Sequence, residues 1–205
     1  MKRLLTILIV STMLLAACGG ATNTDASAPT RGHWDGNTFV SSYFGLRFAM
    51  TDEWTAVSND EIADMFPDTG YVQPPDGAEI TPDMHWMAET LGIFDMVATI
   101  GEPGALGNVT GSVTTAIRRL TDDVANLSAA DLISVSMFDA GINYIPGDGP
   151  MRIGNLDWYY ADYRVLGILG QRMLINLDDQ FIRQITIGYA NDDYLEVILA
   201  MFRAY

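Results

Sequence analysis

The chain contains a single cysteine, Cys18, and that count limits how it can hold a fold together. No disulfide can form within it, so a folded domain has to rest on its apolar interior. With 205 residues, 49% of them hydrophobic, there is enough material for one such interior. Cys18 also stands where a targeting segment would end. Lys2 and Arg3 precede an apolar run, Leu4 to Leu15, that is too short to span a bilayer as a mature helix. The run closes on Leu15-Ala16-Ala17-Cys18, with small residues ahead of the cysteine. A secretory signal has this layout.

The Leu-Ala-Ala-Cys ending resembles the lipobox of bacterial lipoproteins, where cleavage precedes the cysteine and lipid is attached to its sulfur. The resemblance implies a signal peptide over 1–17 and lipidation of Cys18, with palmitate among the acyl groups. The mature chain would then be held at a cell membrane, facing away from the cytoplasm. Two or more acyl chains give durable attachment, since each buried methylene contributes about 0.8 kcal/mol. No thiol would remain for catalysis, metal binding or redox chemistry.

Losing 1–17 also removes Lys2, the only lysine, and leaves 9 arginines against 26 acidic residues, a net charge of −17. Schiff-base and P-loop lysines are thereby excluded. So few cations argue against a nucleic-acid partner, and an anionic lipid surface would repel the domain unless the lipid tethered it. Residues 19–32 (GGATNTDASAPTRG) are small, polar and turn-prone. With Cys18 they read as a flexible linker over 18–32 that spans roughly 20 Å, followed by one domain over 33–205.

Within that domain, alternation dominates. Phe44, Leu46, Phe48 and Met50 are expected on one face of a strand, and Phe94, Met96, Ala98 and Ile100 on one face of another. Val109 to Ile117, Leu156 to Val165, Met173 to Leu177 and Phe181 to Tyr189 read as further strands, the last two joined by a tight hairpin at Asp178-Asp179-Gln180. Helices are expected at Asn59 to Phe66 and Pro82 to Leu91, and after Ser128-Ala129-Ala130-Asp131, which resembles a capping box. A last helix follows Asn191, with Leu195, Ile198, Leu199 and Phe202 on one face. The fold class is α+β: a single domain with an antiparallel β-sheet flanked by helices, an α/β/α sandwich.

Trp34-Asp35-Gly36-Asn37, then Tyr43-Phe44-Gly45-Leu46-Arg47-Phe48 and Trp54, resembles the opening of PsbP-like domains, also called the Mog/PsbP fold. That opening is an aromatic strand, a short turn, a tryptophan and a helix. Here the turn is Met50-Thr51-Asp52-Glu53, without the proline usual before the tryptophan. The resemblance implies an accessory or partner-binding role and brings no catalytic motif with it.

Candidate chemistry is sparse. His85 and Glu89 share a helix face at i, i+4, with Asp83 or Glu79 as a third group, so they offer a weak metal site or an acid–base pair. The bland alternative is a solvated helix face. Asp122-Asp123, Asp178-Asp179 and Asp192-Asp193 are candidate weak calcium sites or, more simply, turn and N-cap residues. Gly101, Gly104 and Gly107 lack the lysine of a phosphate loop. Trp34, Trp86, Trp158 and Tyr163 are candidate partner-binding aromatics, although aromatics on a central strand, as Trp158 and Tyr163 are, more often belong to a core.

The expected function is therefore a non-enzymatic, lipid-anchored extracytoplasmic accessory protein with a protein or envelope partner, no catalytic residues, no cofactor and no resident metal. Two alternatives stay open: an envelope or polymer hydrolase using His85, and a structural protein that binds divalent cations.

Overall fold

The computed structural model describes residues 29–64, 73–80, 92–100, 110–165 and 169–205. They form two antiparallel sheets and three helices. The smaller sheet runs β1 (His33–Asp35), β2 (Thr38–Ser41), β3 (Leu46–Ala49) and β12 (Phe202–Ala204) in that order. The larger runs β4 (Trp54–Ala56), β5 (Ile93–Ile100), β6 (Gly111–Arg119), β11 (Phe181–Tyr189), β10 (Leu169–Leu177), β9 (Leu156–Val165) and β7 (Tyr144–Pro146), with β8 (Met151–Ile153) also pairing β9. The helices are α1 (Asn59–Asp64), α2 (Ala129–Asp139) and α3 (Asp192–Ala200).

Alternation along the central strands builds two cores. On one face of the large sheet, Val113, Ile117, Ile185, Ile187, Leu174 and Trp158 meet Phe39, Phe44, Leu46, Phe48 and Phe202 of the small sheet. Leu195 and Ile198 of α3 close this cluster. On the opposite face, Ala161, Tyr163, Met173, Ile175 and Ile182 pack under Ala129, Leu132, Ile133 and Met137 of α2. The α+β, single-domain reading holds, and a second sheet shares with α3 the covering of one face.

Local signals explain the boundaries. The Ser128 side chain accepts from Asp131 N and opens α2, and the Asn191 side chain accepts from Tyr194 N and opens α3. At the hairpin, Asp178 Oδ1 accepts from the backbone N–H groups of Gln180 and Phe181, at 3.0 and 2.7 Å. The strand, turn, tryptophan and helix order is realised by β3, a turn closed by Trp54 N donating to Thr51 O, β4 and α1.

Three expectations need correction. Phe94 does not share a face with Met96, Ala98 and Ile100, because the register shifts between Phe94 and Met96. Phe94 stands opposite Ala116 and Met96 opposite Thr115, so a bulge at Asp95 puts Phe94 on the other side of the sheet. Phe202 is not helical: α3 ends at Ala200, and Phe202 pairs with Phe48 to give β3 a neighbour on its open side. Periodicity alone places Phe202 at i+7, and the unpaired edge of β3 overrides it.

Nor does the linker run to residue 32. Thr30 bridges Glu79, Arg31 N donates to Ala78 O and the Arg31 side chain is buried, so the ordered chain is under way by Pro29. The polar composition hides this, because Arg31 is held by an ion pair and not by apolar contact.

Candidate functional site

The α2 sequence is apolar on more than one side. Leu132, Ile133 and Met137 enter the core, which leaves Val135 and Phe138 facing outward. Phe138 is 82% exposed, a cost in apolar hydration that the fold itself does not require. Gly141, with φ +63°, turns the chain toward β7, where Ile145 is 73% exposed. Between helix and strand lies a shallow open groove of about 680 Å³, lined by Ser134, Val135, Phe138, Asp139, Ile142 and Tyr144 among others.

The groove's edge resists strand addition. β7 and β8 lie along one side of β9, separated by Gly147-Asp148-Gly149-Pro150. Pro146 and Pro150 cannot donate to an added strand, a known way of blunting a sheet edge. A partner here has to engage side chains. The groove's helical side is acidic: Asp139 lines it at the end of α2, Asp131 lies in the first turn of the same helix, and the last turn of α2 has no basic residue.

The residues singled out by sequence fare unevenly. Cys18, Asp83, His85, Trp86 and Glu89 lie outside the described residues, as do Gly101, Gly104 and Gly107. Trp158 and Tyr163 are corrected from the candidate aromatic surface to the interior, at 0% and 4% exposure. Trp158 stacks on Phe44 with ring centroids 6.0 Å apart, and its Nε1 donates to Ile153 O at 3.2 Å. Tyr163 belongs to the core under α2 because its strand position faces the helix. Trp34 is half-buried at the rim of the small sheet, edge-on to Phe39 at 5.2 Å. Glu79 only bridges Thr30.

The paired aspartates are engaged locally. Asp123 accepts from Thr121 Oγ1, and Asp192 and Asp193 occupy the first turn of α3. Asp178 accepts from Tyr43 Oη at 2.5 Å and pairs with Arg183 at 2.9 Å. Arg183 in turn donates to Tyr43 O and Asn176 Oδ1, with its guanidinium 4.2 Å from the Tyr43 ring centroid. Burial and the bond to Asp178 push the Tyr43 phenol well above its ordinary range. The arrangement clasps the turn before β3 to the β10–β11 hairpin. Among the described residues no group of three His, Cys, Asp or Glu could hold a metal ion.

Sequence reading missed a buried cluster at Asp95, the bulge residue. Its carboxylate accepts from Gly32 N at 2.6 Å and Ser41 Oγ at 2.9 Å, with Arg31 Nε 4.0 Å away. Arg31 also donates to the carbonyls of Asp95 and Pro74 and pairs with Asp76 at 3.3 Å. Burial pushes Asp95 up to about 6, against the lowering by Gly32 N, Arg31 and Ser41. A lone charge inside an apolar strand was the available signal. The groove left a signal too, in the excess of apolar residues along α2.

No family model matches the chain, and no curated protein matches it. Solved structures do. It is similar to LpqN, described as involved in cell envelope biogenesis of Mycobacterium tuberculosis, at 10% identity, 76% coverage of each chain and a TM-score of 0.37. It is also similar to a protein of Bacteroides thetaiotaomicron at 10% identity and TM-score 0.37, covering 83% of this chain and 48% of that one. Cyanobacterial PsbP (CyanoP) from Synechocystis aligns at 14% identity over 91% of this chain and 98% of that one, with a TM-score of 0.40. All three alignments are loose. Among the described residues no helix is long and apolar enough to cross a membrane.

Proposed function

We propose that this is a non-enzymatic, lipid-anchored extracytoplasmic protein that binds a partner in the groove between α2 and β7. The observation that carries the reading is the 82% exposure of Phe138 in the lining of that groove, beside Val135, Ile142 and Tyr144. Large apolar side chains gathered at one surface concavity mark an interaction site. The carboxylates around it favour a segment that carries an apolar anchor beside arginine or lysine. A second copy of the chain is disfavoured, because two bodies of net charge −17 repel each other. The signal layout ending at Cys18 supports the anchor.

Two experiments test this. Cys18→Ala should abolish incorporation of radiolabelled fatty acid in growing cells, and equal labelling of variant and parent would refute the anchor. For the groove, a photo-crosslinking residue at position 138 should capture a discrete partner in intact cells. The same residue at Val197, 58% exposed on α3, should not. With the crosslinker placed instead at Val135, which lines the same groove, Phe138→Asp should weaken capture by about 2 kcal/mol or more, as for a central anchor residue. Because Phe138 contributes little to the core, stability should move by no more than about 0.5 kcal/mol. Capture from positions 138 and 197 alike would discard the site.

A further inference from the structure

The two fully buried arginines contrast sharply. Arg31 is surrounded by Asp95, Asp76, Asn59 and the Pro74 carbonyl. Arg118 is 3% exposed at the end of β6, and among the described residues its Nη2 has no hydrogen-bond partner and no carboxylate forms an ion pair with it. In a chain with 26 acidic residues, a buried arginine left without one calls for an explanation. An uncompensated interior charge costs several kcal/mol unless something else balances it.

Its surroundings are polar as well. Residues paired directly across strands share a face, so the register places Ser112 and Thr114 of β6, Thr186 of β11, Thr99 of β5 and Gln171 of β10 on one face of the large sheet. By alternation Arg118 and Gln184 stand on that face too. All seven are buried. Gln184 Nε2 donates to Thr186 Oγ1 at 3.1 Å, whereas among the described residues Thr99 Oγ1 and Gln171 Oε1 have no hydrogen-bond partner. Gly92, just ahead of β5, has φ +76°, and a Cβ there would come within 2.8 Å of Arg118 Cγ. The missing side chain is what lets the arginine lie across the start of β5.

We infer that the Arg118 corner of this polar strip binds a small, polar monocarboxylate. The guanidinium fork matches a carboxylate in two parallel hydrogen bonds. One guanidinium cancels one charge, so a phosphate dianion would bury a charge without a counterpart. The hydroxyl and amide floor suits a hydroxylated body better than an alkyl tail. Burial with no compensating acid pulls the Arg118 pKa down to about 10, so the guanidinium keeps its charge at neutral pH and remains available to an anion. The site is independent of the α2/β7 groove and does not rest on it.

The test is calorimetric titration of the full chain with lactate and acetate at fixed ionic strength, with chloride and phosphate as comparators. Lactate should bind saturably and raise the melting temperature in step with occupancy. Arg118→Met should weaken binding by about tenfold or more, and in the absence of ligand it should be at least as stable as the parent. The parent titration decides the matter even if the variant does not fold. Failure of both carboxylates to bind, saturation by phosphate in their place, or undiminished binding to Arg118→Met would each overturn the assignment.

Discussion

Asp95→Ala should lower folding free energy by about 3–5 kcal/mol, the cost of leaving half of a buried ion pair uncompensated. Asp95 is 1% exposed, and its carboxylate holds Gly32 N and Ser41 Oγ while facing Arg31. Alanine removes the acceptor for both donors and leaves the Arg31 guanidinium, among the described residues, with only Asp76, which is 35% exposed, as its nearby carboxylate. Asp95→Asn keeps an acceptor for Gly32 N and should cost much less.

The same residue sets a pH dependence whose sign is opposite to the usual carboxylate. Its pKa is raised from 3.8 to about 6 in the folded domain, chiefly by burial. The folded state therefore holds the proton more tightly than the unfolded chain. The resulting contribution is complete below about pH 4 and is lost as pH rises through about 6. Its size is on the order of 3 kcal/mol. Urea unfolding at pH 4, 5, 6 and 7 should show this decline in the parent and not in Asp95→Asn. A parent and variant with identical pH profiles would refute it.

Trp158→Ala should be comparably destructive, at about 3–5 kcal/mol. The indole is 0% exposed, lies nearly parallel to Phe44 at 12°, and its Nε1 bonds the Ile153 carbonyl. Truncation opens a cavity where the two sheets meet and removes that hydrogen bond. Trp158→Phe retains most of the packing and should cost about 1–2 kcal/mol, mainly for the lost hydrogen bond and the smaller ring. In a domain of this size, Trp158→Ala should lower the melting temperature by roughly 10 °C or more. A loss below 1 kcal/mol on urea unfolding would mean that position 158 is not part of the sheet-to-sheet core.

Helices and strands were readable where a local signal and burial agreed. Leu156 to Val165 and Phe181 to Tyr189 are strands over the expected spans, and Ser128 and Asn191 cap the helices anticipated after them. Phe94 and Phe202 went astray because a bulge and an edge pairing are decided by a neighbouring strand distant in sequence. Composition hid Arg31, since a polar residue in a polar stretch gives no hint that it will be buried in an ion pair.

The candidate surface shows the same division. Tryptophan and tyrosine at 158 and 163 suit a core more often than a binding platform, and their places on a covered sheet make them core. Phe138 is drawn no closer to solvent by its own chemistry, and only the docking of α2 on Ala161 and Met173 leaves it outside.

What the chain determines alone is local and one-dimensional: where strands alternate, where helices start, how acidic the domain is, and that no disulfide holds it. Which side chains become buried charges, unpaired guanidinium or exposed apolar surface was decided by the stacking of two sheets and a helix. Burial depends on neighbours that are remote in sequence, and no window along the chain contains them.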